Sequence, residues 1–407
     1  MSALPKSLQD NPALGRWIAL DPPGRVTLWP GKVELGQGVL TALAQIAAEA
    51  LALPLGRVAL APADTARSPN EGFTAGSLSM EVTGAAVALA CSQARAALLD
   101  AAAARLGCDA ARLSTEDGAI LRDGAPSGLD LWTVAGDVDW GQPVRGDAAA
   151  PWRTGRVLGT GAPRADLAER LAAPGYIHDL APPGLIHARI LRQPHRLARL
   201  ARLDEDVLAR RHPGVEALRR GDFLALLAED EEAVRRAQED AGRFAAWEDG
   251  PAWRPQAGAP LTLTAGPAAP EPPEATNALS VEYARGPIAH ASIAPSCAVA
   301  QWAGEALTVW THSQGVFPLR DQIARVLGLP AGRVRAVHVP GAGCYGHNGA
   351  DDAALDAALV ARERPGRPVR VQWSREDELS RAPFGAPQSA RVEAALGPDG
   401  RVERWRM

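Results

Sequence analysis

An imperfect internal repeat dominates this sequence. Residues 26–59 read VTLW, PGKVEL, GQGV, an apolar-periodic stretch and LALPLGRVA, and residues 307–336 read LTVW, TH, SQGV, a similar stretch and LGLPAGRVRA. The spacing from Gln37 to Arg57 is 20 residues, and the spacing from Gln314 to Arg333 is 19. Each copy therefore predicts a strand, a Gln-Gly turn, a helix of about four turns, a Leu-Pro turn and a second strand.

Both copies continue into a glycine-rich loop and a further helix. The first copy runs through 71–77 (EGFTAGS) into an alanine-rich helix that ends near Gly107. The second copy runs through 341–349 (GAGCYGHNG) into a helix over about 351–364. A single shared Gln-Gly dipeptide would mean little, but the same order and spacing in both copies predict a duplicated βαβ-like unit.

These patterns predict an α+β chain of three domains, 1–145, 166–250 and 278–407. The stretches between them are predicted linkers, because 133–165 is rich in Gly, Asp and Pro and 251–273 contains seven prolines. Short strand patterns and one charged helix predict a small α+β fold for the middle domain.

The last residues carry a turn signal at 398–400 (PDG), followed by only the start of an outgoing strand. We therefore expect the second unit to be incomplete and the chain to be the front part of a longer protein.

Composition excludes several classes of function. The net charge of -4 gives no global signature of a nucleic-acid or anionic-membrane partner. Lys6 and Lys32 are the only lysines, which argues against lysine chemistry. Four scattered cysteines without a C-x-x-C pair argue against zinc or iron–sulfur ligation by this chain. Without a secretory signal or an uninterrupted apolar span, the protein is predicted to be cytoplasmic and to lack a membrane span.

The two glycine-rich loops suggest a phosphate-bearing ligand. Backbone N–H groups can approach a phosphate closely where side chains are small, and a helix N-terminus adds partial positive charge. The amides of Gln37 and Gln314 offer donors and an acceptor without charge, which suits a heterocycle or a metal-oxo group. The alternative is that the glycines serve tight turns and the glutamines cap helices. No dinucleotide fingerprint in the right context and no P-loop is present.

An ordered set of motifs gives the chain a recognisable likeness. These are 31–38 (GKVELGQG), 64–69 (DTARSP), 74–79 (TAGSLS), 290–297 (HASIAPSC), 311–315 (THSQG) and 341–346 (GAGCYG). The set resembles the xanthine dehydrogenase/aldehyde oxidase family, specifically its molybdopterin-binding large subunit in the branch of nicotinate dehydrogenase and isoquinoline 1-oxidoreductase. The resemblance implies duplicated βαβ-like molybdopterin-binding units flanking a small α/β hammerhead-like domain.

The resemblance also implies a molybdenum–molybdopterin cofactor, with a cytosine dinucleotide as one form of the pterin, and no metal ligand from the protein. The implied cofactor-binding residues are Gly36, Gln37, Gly38, Thr74, Ala75, Gly76, Ser77, Ser79, Gln314, Gly343, Cys344, Tyr345 and Gly346. Gln314 would lie beside the molybdenum oxo group, and Tyr345 and His347 would face the substrate pocket.

The implied activity is hydroxylation of an N-heteroaromatic compound or an aldehyde, with water as the oxygen source. The family's catalytic Glu is not found, so the catalytic base is unknown and the chain alone is expected to be inactive. Glu34 and Glu71 are interpreted as solvated turn residues. The implied partners are a small [2Fe–2S] electron-transfer subunit, a cytochrome or flavin subunit, and a small-molecule substrate. The alternatives are an enzyme that uses another phosphate-bearing cofactor, and a truncated or split chain that binds cofactor without catalysing.

Overall fold

The computed structural model describes residues 4–21, 23–146, 155–172, 175–195, 197–250 and 278–407. The predicted linker at 251–273 lies outside these residues.

The helices and strands are numbered in chain order. The helices are α1 Lys6–Asp10, α2 Val39–Leu51, α3 Ala85–Leu106, α4 Leu131–Val134, α5 Leu167–Ala172, α6 Glu205–Arg211, α7 Glu231–Glu239, α8 Val316–Leu327, α9 Ala350–Arg362 and α10 Arg375–Arg381. The first ten strands are β1 Ile18–Asp21, β2 Arg25–Leu28, β3 Val58–Leu60, β4 Leu113–Glu116, β5 Ala119–Arg122, β6 Ala125–Asp130, β7 Ile186–Leu191, β8 Arg199–Leu203, β9 Glu216–Arg220 and β10 Phe223–Ala228. The remaining strands are β11 Ala245–Glu248, β12 Ala278–Arg285, β13 Ile288–Ala289, β14 Cys297–Ala303, β15 Ala306–Thr311, β16 Val334–His338, β17 Val369–Gln372, β18 Phe384–Gly385, β19 Gln388–Leu396 and β20 Val402–Arg406.

The predicted duplication is confirmed in the strand pairing. In the first copy β2 and β3 are parallel and joined by α2, and in the second copy β15 and β16 are parallel and joined by α8. The duplication begins one strand earlier than the sequence indicated, because an antiparallel hairpin precedes each unit, β1–β2 in one and β14–β15 in the other. Each copy ends in a glycine-rich loop followed by a long helix, α3 or α9.

Most strands of the middle domain do not form a separate sheet. The largest sheet has the order β16-β15-β14-β17-β7-β10-β9, so three strands of the middle segment extend the sheet of the second unit. The parallel pair β17–β7 makes this junction. Helix α7 packs against β7 and β10, over a core that includes Leu224, Leu226 and Phe244. A separate domain at 166–250 stays a prediction, and its boundaries do not coincide with the boundary of a sheet.

The first unit has a large core of its own. Helices α2 and α3 pack together, and Trp17, Leu43 and Leu98 are among its fully buried side chains. Val134 and Val144 belong to the same core, so residues 133–146 fold onto the first unit instead of serving as the linker that their composition predicted.

The helical stretch Ser79–Leu106 is long and apolar enough to cross a membrane by length and composition. In this structure 56% of its most apolar window is buried. It contributes Ala90, Ala94 and Leu98 to the first core, as the central helix of a folded domain does.

The two units meet along the segments that follow β3 and form β16. The backbone N–H of His338 donates to the carbonyl of Ala63 at 2.8 Å, and the N–H of Thr65 donates to the carbonyl of Ala336 at 3.0 Å. The guanidinium of Arg335 donates to both carboxylate oxygens of Asp64, with Nε at 3.0 and 3.1 Å. These contacts bring the carboxyl ends of the parallel strands of both units together, which is where ligands bind in many α/β sheets.

Candidate functional site

A cleft of about 410 Å³ lies between the two units. Its walls come from the turns before α2 and α8 and from the two glycine-rich loops. The residues that line it are Leu35, Gln37, Gly38, Val39, Ala42, Thr74, Ala75, Ser77, Ser79, Met80, Gln314, Cys344, Tyr345 and Gly346. Most of the residues predicted from the sequence are therefore brought together. Gly36, Gly76 and Gly343 stand in the backbone of the same loops, and His347 contacts Gln314 from behind the wall.

The turn before α2 is held by Glu34, which the sequence interpretation missed. The Glu34 side chain is only 2% exposed. Its Oε1 accepts the N–H groups of Gly36 at 2.9 Å and Gly38 at 2.8 Å, and its Oε2 accepts that of Leu40 at 3.2 Å. Glu34 is therefore a buried capping residue and not a solvated turn residue. Because its carboxylate occupies the N-terminus of α2, that helix end is not free for a phosphate.

Gln37 projects from this turn into the cleft while its amide stays tied to the backbone. Its Nε2 donates to the carbonyl of Val33 at 3.0 Å, and its Oε1 accepts the N–H of Leu35. An amide nitrogen carries two hydrogens and an amide oxygen two lone pairs, so one donor and one acceptor position remain for a ligand.

Lys32 and Glu71 hold the first glycine-rich loop. The Lys32 Nζ is buried and donates to the carbonyls of Glu71 at 2.8 Å and Phe73 at 2.7 Å. Burial lowers the pKa of Lys32, and the Glu71 charge opposes that effect. The Glu71 carboxylate accepts hydrogen bonds from the hydroxyls of Ser7 and Thr83 at 2.7 and 2.6 Å. Glu71 is therefore also a structural residue and not a solvated one.

The two loops share a strained backbone feature at the cleft. Ser77 in the first loop has φ 58° and Tyr345 in the second has φ 57°, a left-handed conformation that is uncommon outside glycine. Such residues cost about 1–3 kcal/mol each and concentrate at functional sites. Tyr345 is 57% exposed, so its ring is open to a ligand. Cys344 beside it is buried, and burial raises the pKa of its thiol, as expected for an unreactive cysteine.

Gln314 joins the two units across the cleft. Its carbonyl accepts the backbone N–H of Thr74 at 2.8 Å, and its side-chain Nε2 donates to the carbonyl of Thr74 at 3.1 Å. Its Oε1 lies 3.0 Å from the Nδ1 of His347. Gln314 thus touches both glycine-rich loops, although the three segments are far apart in the sequence.

The chemistry of the walls suits a neutral or anionic polar ligand. The lining residues are uncharged, so no carboxylate would repel a phosphate, and the hydroxyls of Thr74, Ser77 and Ser79 offer hydrogen-bond donors. Within the described ranges no group of three or more His, Cys, Asp or Glu side chains could hold a metal ion. A metal bound here would have its ligands from the cofactor, and the residues present fit that arrangement.

Comparison with known proteins identifies both units. Residues 2–163 and residues 257–407 match two family models, each described as a molybdopterin cofactor-binding domain. The chain is 32% identical to a subunit of nicotinate dehydrogenase from Pseudomonas putida over 420 residues, which covers 96% of this chain and 34% of that protein. It is 27% identical to the beta subunit of isoquinoline 1-oxidoreductase from Brevundimonas diminuta, over 93% of this chain and 56% of that protein.

Among solved structures, quinoline 2-oxidoreductase from Pseudomonas putida 86 aligns with a TM-score of 0.46 at 20% identity, over 60% of this chain and 38% of that chain. The chain spans about a third of the length of the nicotinate dehydrogenase relative and just over half of the isoquinoline oxidoreductase relative. Two molybdopterin cofactor-binding domains, at residues 2–163 and 257–407, therefore make up most of this chain.

Proposed function

We propose that the cleft holds a molybdenum–molybdopterin cofactor and that the protein is part of an oxidoreductase that hydroxylates N-heteroaromatic compounds or aldehydes with oxygen from water. The observation that carries this proposal is the convergence of Gln37, Gln314 and both glycine-rich loops on one uncharged cleft. The bound cofactor would supply the metal and the redox chemistry.

The residues of this chain would bind and orient. Gln37 and the hydroxyls of Thr74, Ser77 and Ser79 would hydrogen-bond the pterin and its phosphate, and Gln314 would donate to the oxo group. The exposed Tyr345 ring would cover an aromatic substrate and limit the access of water.

The catalytic base would come from outside this chain. Among the described residues the cleft lining contains no carboxylate, and the nearby Glu34 already accepts three backbone N–H groups. We therefore propose that a further part of the protein or another subunit supplies the base.

Three finer points belong to the same proposal. The pterin is proposed to carry a cytosine dinucleotide. Electrons would pass to a separate [2Fe–2S] subunit and from there to a cytochrome or flavin subunit, which is consistent with four cysteines in this chain that are free and scattered. A cytoplasmic location is proposed, since the helix of membrane length found among the described residues, Ser79–Leu106, packs into the core of the first unit.

The test uses the native protein with its partner subunits. Molybdenum and pterin should be present at one each per chain, and a different phosphate-bearing cofactor in their place would refute the proposal. Gln314→Ala should cut turnover while leaving the folded state intact by circular dichroism. Unchanged turnover at normal molybdenum content would remove the role assigned to Gln314.

A further inference from the structure

The contacts of Gln314 determine which way its amide faces. The carbonyl of Thr74 can only accept a hydrogen bond, so the Gln314 atom at 3.1 Å from it must be the amide nitrogen. The amide oxygen then faces His347, with 3.0 Å between Oε1 and Nδ1. Because Oε1 can only accept, the proton of the neutral His347 imidazole must be on Nδ1, which leaves Nε2 as the unprotonated nitrogen.

His347 is itself held in place at the second glycine-rich loop. The ring is half-buried, and the charge of Asp351 at the start of α9 lies close enough to interact with it. Asp351 is hydrogen-bonded by Ser313, whose hydroxyl also accepts the N–H of Gly315 at 3.1 Å. Ser313, the residue before Gln314, is therefore tied to the start of α9, which directly follows the loop that carries His347.

We propose that His347 is a positioning residue. Together with the Thr74 carbonyl, it fixes the orientation of the Gln314 amide, so that one N–H of the Gln314 Nε2 always faces the cleft. A glutamine amide without these two partners can rotate by half a turn and exchange its donor for its acceptor. With both partners in place, the remaining hydrogen of Nε2 is the group offered to the oxo group of the cofactor. This inference rests on the proposed function and replaces the expectation that His347 faces the substrate.

The experiment compares three variants of the native full-length protein. In H347N the amide nitrogen can donate from about the position of Nδ1, in H347D a carboxylate places an acceptor there, and in H347L nothing polar remains. His195, which reaches Asp249 in the middle domain, supplies the matched control H195L. The side-chain amide signals of Gln314 are followed in protein labelled with ¹⁵N-glutamine and assigned by their loss in Gln314→Ala.

In H347L and H347D, exchange of the Gln314 amide protons with water should be about tenfold faster, and kcat should fall about fivefold with KM unchanged, as expected for the loss of one hydrogen bond. H347N should restore both values, and H195L should alter neither.

Wild-type exchange rates in H347L and H347D would overturn the proposal. The proposed function fails separately, if the native protein carries no molybdenum. The amide signals still decide the role of His347 in that case, because they do not require the cofactor.

Discussion

Glu34→Gln should destabilise the first unit, because the carboxylate of Glu34 closes the turn from which Gln37 projects. In the native turn Oε1 accepts two N–H groups, those of Gly36 and Gly38, and Oε2 accepts a third from Leu40. A glutamine can keep the two contacts at the Oε1 position. Its NH₂ group then takes the Oε2 position and faces the N–H of Leu40, donor against donor, at a site that is 2% exposed.

The size of this destabilisation follows from the hydrogen bond and the charge that Glu34→Gln removes. A hydrogen bond to a charged group contributes about 1.5–3 kcal/mol, and the negative charge at the N-terminus of α2 contributes about 0.3–1 kcal/mol. The Arg164 partner, at 3.3 Å from Oε1, is 34% exposed and adds little because water screens it. The free energy of unfolding of the first unit should therefore fall by about 2–4 kcal/mol.

Urea unfolding followed by circular dichroism measures this loss. Glu116→Gln is the matched control, since Glu116 is exposed on β4 and its substitution should change the free energy of unfolding by less than about 0.5 kcal/mol. Equal unfolding midpoints for E34Q and E116Q would show that the carboxylate does not hold the turn. Molybdenum content gives a second readout, because a loosened turn should also release Gln37 from the cleft wall.

Two further predictions concern the second unit. Burial lowers the pKa of His312 and of His338 to about 3, whereas a histidine in the unfolded chain has a pKa of about 6.5. Only the unfolded chain takes up these protons between the two values, so the free energy of unfolding should fall as the pH drops below about 6.5. The free energy of unfolding, measured with urea at several pH values, should depend less steeply on pH in His338→Leu, by about 1.4 kcal/mol per pH unit. An unchanged slope would contradict the lowered pKa of His338. Gly343→Ala should lower molybdenum content per chain, because a Cβ at φ 102° would lie 2.9 Å from Cζ of Tyr345. Gly366→Ala is the control, because Gly366 has φ 84° and open space around it, so this substitution has the same backbone cost of about 1 kcal/mol. The G366A protein should keep its molybdenum content. Equal losses of molybdenum in the two variants would mean that backbone strain alone is responsible.

The parts of the fold that depend on neighbours in the sequence could be predicted. The strand–turn–helix–strand order of each copy follows from local periodicity, and the structure has α2 and α8 at the expected places. The junction of β17 with β7 could not be predicted, because pairing between distant strands leaves no local signal. Residues 133–146 read as a linker for a similar reason, since Val134 and Val144 show no regular period yet enter the core.

The candidate site shows the same division. The motifs placed Gln37, Gln314 and both loops in one site by resemblance, and the structure brings them to one cleft. The role of Glu34 left no standard capping signal in the sequence, because Glu34 lies four residues before the N-cap Gly38 and not at the N-cap or in the first turn of the helix. The hydrogen bond between Gln314 and His347 could not be predicted either, since it depends on how the second loop turns back towards α8.

The hydrogen bonds between Thr74 and Gln314 join residues 240 positions apart. A ribosome adding about 5–20 residues per second needs roughly 12–48 s to make the chain between them. During that time the first glycine-rich loop has no opposite wall, so a pterin that met the nascent chain would find half a binding site. On the proposed function, the cofactor is therefore expected to enter after the two units have docked.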